Sequence, residues 1–122
     1  MIIGIGVDVV EIYRMKKVIN EWGNLFLEKI FTENELKYAQ SKKNFVQHLA
    51  ARFAAKEAVA KAVSKGWSGG FRWKDVEVSN DISGKPEITL YGKLKEEFSK
   101  NRIYISLSHS ENVVIAFAVV EK

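Results

Sequence analysis

Residues 52–62 read RFAAKEAVAKA. Alanine is the strongest helix former, and this stretch holds little else apart from Arg52, Phe53, Lys56, Glu57, Val59 and Lys61. The apolar spacing predicts a long helix over roughly 45–65. Val46, Leu49, Phe53, Glu57 and Lys61 follow one another along one side of it, which begins apolar and turns ionic. Glu57 and Lys61 have the favourable i, i+4 order, worth about 0.2–0.5 kcal/mol as an exposed ion pair. As continuations of the Leu49–Phe53 side, however, both are expected at the edge of the core. A carboxylate there needs a partner, which a metal ion would also supply.

The segment before this helix opens with GIGVDVVEIYR at 4–14. Residues 1–8 read as a strand, with Ile3, Ile5 and Val7 on one face and Gly4, Gly6 and Asp8 on the other. Two glycines beside an aspartate leave room for a backbone or a ligand against that face. Val9 stands where a dinucleotide fingerprint needs its third glycine, so that motif is excluded. Asp8 suits either a helix N-cap or a ligand for a hard cation such as magnesium, which binds through one or two carboxylates plus substrate phosphates. A helix is expected over 9–22 and a shorter one over 24–30. On the first, Arg14, Lys16 and Lys17 form either a solvated face or a docking surface for an acidic partner. TENE at 32–35 has capping-box spacing, with Thr32 as the cap and Glu35 reaching back.

Beyond the long helix, Gly66, Gly69 and Gly70 are expected to end it. Strands follow at 75–79 and 87–90, joined by the turn DISGKP, and then a helix near 91–101. RIYISLSH and VVIAFAVVEK read as two final strands about Ser110, Glu111 and Asn112. His109 shares the parity of Ile103, Ile105 and Leu107, so it leaves the core face at a strand end, as a structural or a functional histidine. His48 is given no role. The pattern predicts one α+β domain over 1–122, an antiparallel sheet packed on a long central helix.

Composition narrows the chemistry. The 122 residues include no cysteine, which excludes disulfides, thiolate zinc sites and thiol nucleophiles and suits a cytoplasmic setting. No apolar run reaches membrane-spanning length, and Asp8 interrupts the N-terminal one, so no membrane association is expected. The net charge of +4 suits an acidic partner: nucleic acid, an anionic cofactor or an acidic protein. A non-catalytic nucleotide- or RNA-binding module would stack bases on Trp67, Phe71 and Trp73. Those aromatics cluster at one glycine-rich turn, core packing explains them more simply, and no nucleic-acid partner is expected.

Taken together, GIGVDVVEIYR, FAAKEAVAKA at 53–62, GKP at 84–86 and ISLSHS at 105–110 resemble the small bacterial holo-(acyl-carrier-protein) synthases, a phosphopantetheinyl transferase family. The likeness spans nearly the whole chain. It implies transfer of 4'-phosphopantetheine from coenzyme A to a serine of apo acyl carrier protein, in support of fatty acid biosynthesis, with adenosine 3',5'-bisphosphate as the other product. It implies that Asp8 and Glu57 hold Mg2+ and that Lys61 and His109 meet coenzyme A phosphates. Arg52, Lys56, Pro86 and Ser110 are implied as further coenzyme A contacts, and Arg14 and Lys17 as carrier contacts. It also implies a homotrimer with sites between subunits, which would let so short a chain enclose coenzyme A. The serine's base stays open between Glu57 and a metal-adjacent water. Two departures stand out. Larger relatives carry D-x-E, whereas here Val10 occupies that position and Glu11 comes one residue later. The stretch SKGWSGGF at 64–71 lacks the threonine of the family's G-T-G-I.

Overall fold

The computed structural model describes residues 1–63 and 71–122. In chain order the elements are β1 (Ile2–Glu11), α1 (Ile12–Trp22), α2 (Asn24–Ile30), α3 (Glu33–Gln40) and α4 (Phe45–Ala62). A single 3-10 turn at Trp73–Asp75 leads into β2 (Val76–Asn80), β3 (Pro86–Leu90), α5 (Gly92–Phe98), β4 (Arg102–His109) and β5 (Val113–Glu121). Two antiparallel sheets form. One has the order β1-β5-β4, and the other is the β2-β3 hairpin.

The first strand runs three residues further than its expected end at 8. Val9 and Val10 are β-branched and pair with Ile115 and Val114, so the ladder continues to Glu11. Asp8 is therefore not a helix N-cap. It lies inside the strand opposite Ala116, and Glu11 occupies the cap position of α1 without a side-chain capping bond. The expected alternation holds: Ile3, Ile5, Val7 and Val9 are exposed, while Gly4, Gly6 and Asp8 face α4.

The glycines matter because α4 lies directly on β1. A Cβ at Gly4 would fall 1.8 Å from the Ala62 carbonyl oxygen, and one at Gly6 would fall 2.0 Å from that of Ala58. Glycine in the strand and alanine on the helix thus bring two backbones into contact. The central helix is covered nearly all round, with Leu49, Ala50, Ala54, Ala55, Ala58, Val59 and Ala62 in the core. The helix ends at Ala62 with Val63 as its cap, short of the expected 65, and Gly66, Gly69 and Gly70, expected to end it, lie outside the described residues.

One buried polar cluster ties the second sheet to the helices. Thr32 and Glu35 form the expected capping box, and Glu35 does more. Its Oε1 accepts from the Thr32 backbone N–H at 2.9 Å and from Lys56 Nζ at 2.8 Å, and its Oε2 accepts from the Val78 N–H at 2.7 Å. Lys56 also donates to the carbonyls of Trp73 and Val76, which saturates its three N–H donors. Both side chains are fully buried.

Candidate active site

Where α4 crosses β1, the structure brings three of the expected residues together. Lys61 Nζ donates to Asp8 Oδ1 at 3.2 Å and to the Val7 carbonyl at 2.9 Å. The ion pair of Lys61 is thus with Asp8 across the helix–strand contact, rather than the helical pair with Glu57. Glu57 is half-buried, one helical turn back on the same side. Burial pushes its carboxyl above the ordinary range. The facing Asp8 charge and a hydrogen bond to Asp8 add to the rise, and Lys61 opposes it. Two carboxylates that repel each other at the edge of a core are a donor set suited to a divalent cation, which would relieve both burial and repulsion. Glu11 does not extend the set: its carboxylate is exposed and pairs with Arg14 at 3.3 Å.

These carboxylates open onto a groove of about 340 Å³ lined by Val10, Arg14, Met15, Val18, Phe26 and Phe53 as well as Asp8 and Glu57. Its walls come from β1, α1, α2 and α4, so it has an apolar body and an acidic end. Arg14 and Lys17 are exposed on α1, and Arg14 lies on the groove rim.

The remaining expected residues lie elsewhere. Lys56 is a correction: it is fully buried and saturated by Glu35 and two carbonyls, so it braces the fold and does not reach a ligand. Arg52 is almost fully buried. Its Nη2 donates to Asn80 Oδ1 at 2.8 Å, and its guanidinium lies 4.2 Å from the centre of the Tyr38 ring. Asn80 in turn donates to the Gly84 carbonyl, which ties the GKP turn and the start of β3 at Pro86 to the same cluster. Lys42 lies over the same Tyr38 ring at 5.0 Å, and His48 meets it edge-on at 5.6 Å. Arg52, Lys42 and His109 all act on His48 electrostatically, and with burial they hold its pKa below the ordinary 6.5.

His48, given no role from the sequence, gains a packing partner in the fold: its helical spacing from Arg52 puts both on the Tyr38 ring of α3. His109 is exposed, as the last residue of β4. It lies level with Val10 but two strands away, about 10 Å across the sheet, so one chain does not bring it to Asp8. The Ser110 hydroxyl oxygen accepts from the Asn112 and Val113 amides and shapes the β4–β5 turn. Phe71 and Trp73, offered above for base stacking, are buried, with Trp73 stacked on Phe53 at 5.1 Å. Core packing accounts for them. Trp67 and most of SKGWSGGF lie outside the described residues.

Comparison with known proteins identifies the family. Residues 4–118 match the family model described as the 4'-phosphopantetheinyl transferase superfamily. The chain is 45% identical to the holo-[acyl-carrier-protein] synthase of Geotalea daltonii, with all of both chains covered. It superimposes on the crystal structure of the holo-[acyl-carrier-protein] synthase of Neisseria meningitidis with a TM-score of 0.93, at 37% identity and full coverage of both chains. The Bacillus anthracis synthase, solved in complex with CoA (3',5'-ADP), gives a TM-score of 0.85 at 36% identity, covering 100% of this chain and 98% of that one. By sequence and fold alike, the chain belongs to the 4'-phosphopantetheinyl transferase superfamily, in its holo-[acyl-carrier-protein] synthase family.

Proposed function

We propose that this protein transfers 4'-phosphopantetheine from coenzyme A to a serine of apo acyl carrier protein, in the cytoplasm, and that the Asp8–Glu57–Lys61 cluster is where it does so. One observation carries the reading: two carboxylates line the end of an apolar groove, and an ammonium bonds to one of them, in a chain of this family. Asp8 and Glu57 would hold Mg2+, and their mutual repulsion is the reason they suit it. When bound, the ion neutralises charge on the pyrophosphate oxygens. Lys61 reaches the same place from the next helical turn and steadies phosphate oxygens as a point charge.

In the reaction the serine oxygen bonds to the phosphorus that carries pantetheine. The bond from that phosphorus to the bridging oxygen breaks, and adenosine 3',5'-bisphosphate leaves with the electron pair. The hydroxyl proton passes to a base at the carboxylate end of the groove. Arg14 stands at the groove's rim and Lys17 is exposed three residues further along α1, and an acidic carrier would arrive on that side.

We also propose that the working unit is a homotrimer with each site shared between neighbours. Ile3, Ile5, Val7, Val9, Ile115 and Phe117 leave the β1–β5 part of the larger sheet's outer face apolar and exposed, beside the polar Arg102, Ser106 and Ser108 of β4, and contiguous apolar exposure of this kind marks an interaction surface. His109 stands apart from Asp8 within one chain. Supplied by a neighbour, it would meet coenzyme A phosphates from the far side.

The test is direct. The protein is mixed with coenzyme A, Mg2+ and an apo carrier, and the carrier is weighed by mass spectrometry. Gain of the phosphopantetheine mass is expected. Asp8→Ala and Glu57→Ala should each lose most of the transfer while unfolding near the native temperature. Near-native activity in either variant at saturating Mg2+ would sink the assignment.

A further inference from the structure

A second groove, of about 520 Å³, lies beyond the aromatic row that closes the first. Phe26, Phe53, Trp73 and Phe71 follow one another at centroid spacings of 6.2, 5.1 and 5.5 Å. Phe26 and Phe53 border the carboxylate groove, while Trp73 and Phe71 border the second. Its other lining residues are Lys29, Arg72, Lys74 and Asp75. The three cations are exposed and have no ion-pair partner among the described residues. Asp75 does not offset them, because its carboxylate is turned toward Gly92 at the start of α5, where an added Cβ would lie 2.8 Å from Oδ2. Arg14, by contrast, spends part of its charge on Glu11. Lys29 also follows Leu25 by one turn of α2, and Leu25 and the nearby Trp22 are among the most exposed large apolar side chains of the protein.

From this geometry we infer that the Lys29–Arg72–Lys74 groove is a second docking point for the acyl carrier protein, gripping an acidic stretch remote from the acceptor serine. The inference rests on the proposed transfer reaction and adds to it a source of carrier preference. Three unpaired cations around an aromatic floor match an acidic partner that also has apolar side chains to bury. The two grooves lie on either side of the aromatic row, and docking of this kind requires one carrier to reach both. Carriers that share the serine but differ in acidity at the second contact would be distinguished there.

Because the chain has no cysteine, a single spin label can be placed cleanly. Lys74→Cys is labelled and titrated into isotope-enriched apo carrier, with labelled Lys17→Cys as the comparison. The label at 74 should broaden signals from an acidic carrier surface distinct from the one broadened by the label at 17. Broadening by the label at 17 alone would overturn the proposal. In parallel, Lys29→Glu with Lys74→Glu should raise the apparent KM for the carrier about fivefold, leaving kcat and the KM for coenzyme A unchanged. An unchanged carrier KM overturns the proposal. So does dissociation of the assembly by this double change, which would assign the groove to a contact between copies. Failure of the native protein to modify any carrier is a separate result and counts against the reaction itself.

Discussion

At the scale of single residues, the most informative groups are those whose surroundings change their charge. His48 is packed edge-on against Tyr38, and its burial, together with the charges of Arg52, Lys42 and His109, favours its neutral form in the fold. The unfolded chain titrates near the ordinary 6.5, and the folded group titrates lower. Between the two values the unfolded state binds more protons, so stability falls as pH drops below the unfolded value. His48→Gln should remove that part of the slope. Urea unfolding of both proteins from neutral pH to about pH 5 measures it, and parallel curves would show that His48 titrates normally. The same cluster shows what the sequence concealed. Arg52 and Lys56 sit four residues apart in the motif and look like equivalent cations facing a ligand. In the fold Arg52 lies on the Tyr38 ring, while Lys56 is sealed against Glu35. Spacing fixed which side of the helix they share, but not what covers that side.

At the scale of elements, β1 and α4 define the site by how closely they touch. Asp8 can meet Lys61 only because Gly4 and Gly6 admit the helix backbone. This was legible in the sequence: alternating glycines beside an aspartate, and an alanine-rich helix of matching length. The extension of β1 to Glu11 was not, because Val9 and Val10 suit helix and strand patterns alike until β5 supplies the pairing. Gly6→Ala should therefore push the helix off the strand and lower stability by about 1–3 kcal/mol, read from chemical denaturation. Native stability in that variant would contradict so close an approach. The Lys56–Glu35 pair makes a second demand. Glu35→Ala strands a buried ammonium and should cost about 3–5 kcal/mol, whereas Glu35→Leu combined with Lys56→Met should recover only part of the loss, because the Val78 N–H and the Trp73 and Val76 carbonyls lose their side-chain partners. Equal damage from the single and double changes would mean that packing around the pair, rather than its charge, matters.

At the scale of the whole molecule, the residues implied in the chemistry fall into two groups that one chain keeps apart. Asp8, Glu57 and Lys61 sit where β1 meets α4, while His109 ends β4 on the far side of β5. Residue pattern alone does not join them; only the family resemblance implied a shared site, and the connection proposed for it runs through a second copy. The apolar outer face of β1 and β5 is the surface proposed for that contact, and sedimentation equilibrium should return three chains per particle. Mixed trimers give the sharper test. Asp8→Ala and His109→Ala, each nearly inactive alone, are co-expressed in equal amounts and purified together. If every site lies within one chain, each chain carries a lesion and mixing restores nothing. If each site takes Asp8 from one subunit and His109 from the next, it is intact whenever the first is the His109 variant and the second the Asp8 variant. Random assembly gives that pairing at about one site in four, so about a quarter of native activity should return. Trimers that assemble normally yet stay inactive would place His109 outside the shared site and leave Asp8, Glu57 and Lys61 to work within a single chain.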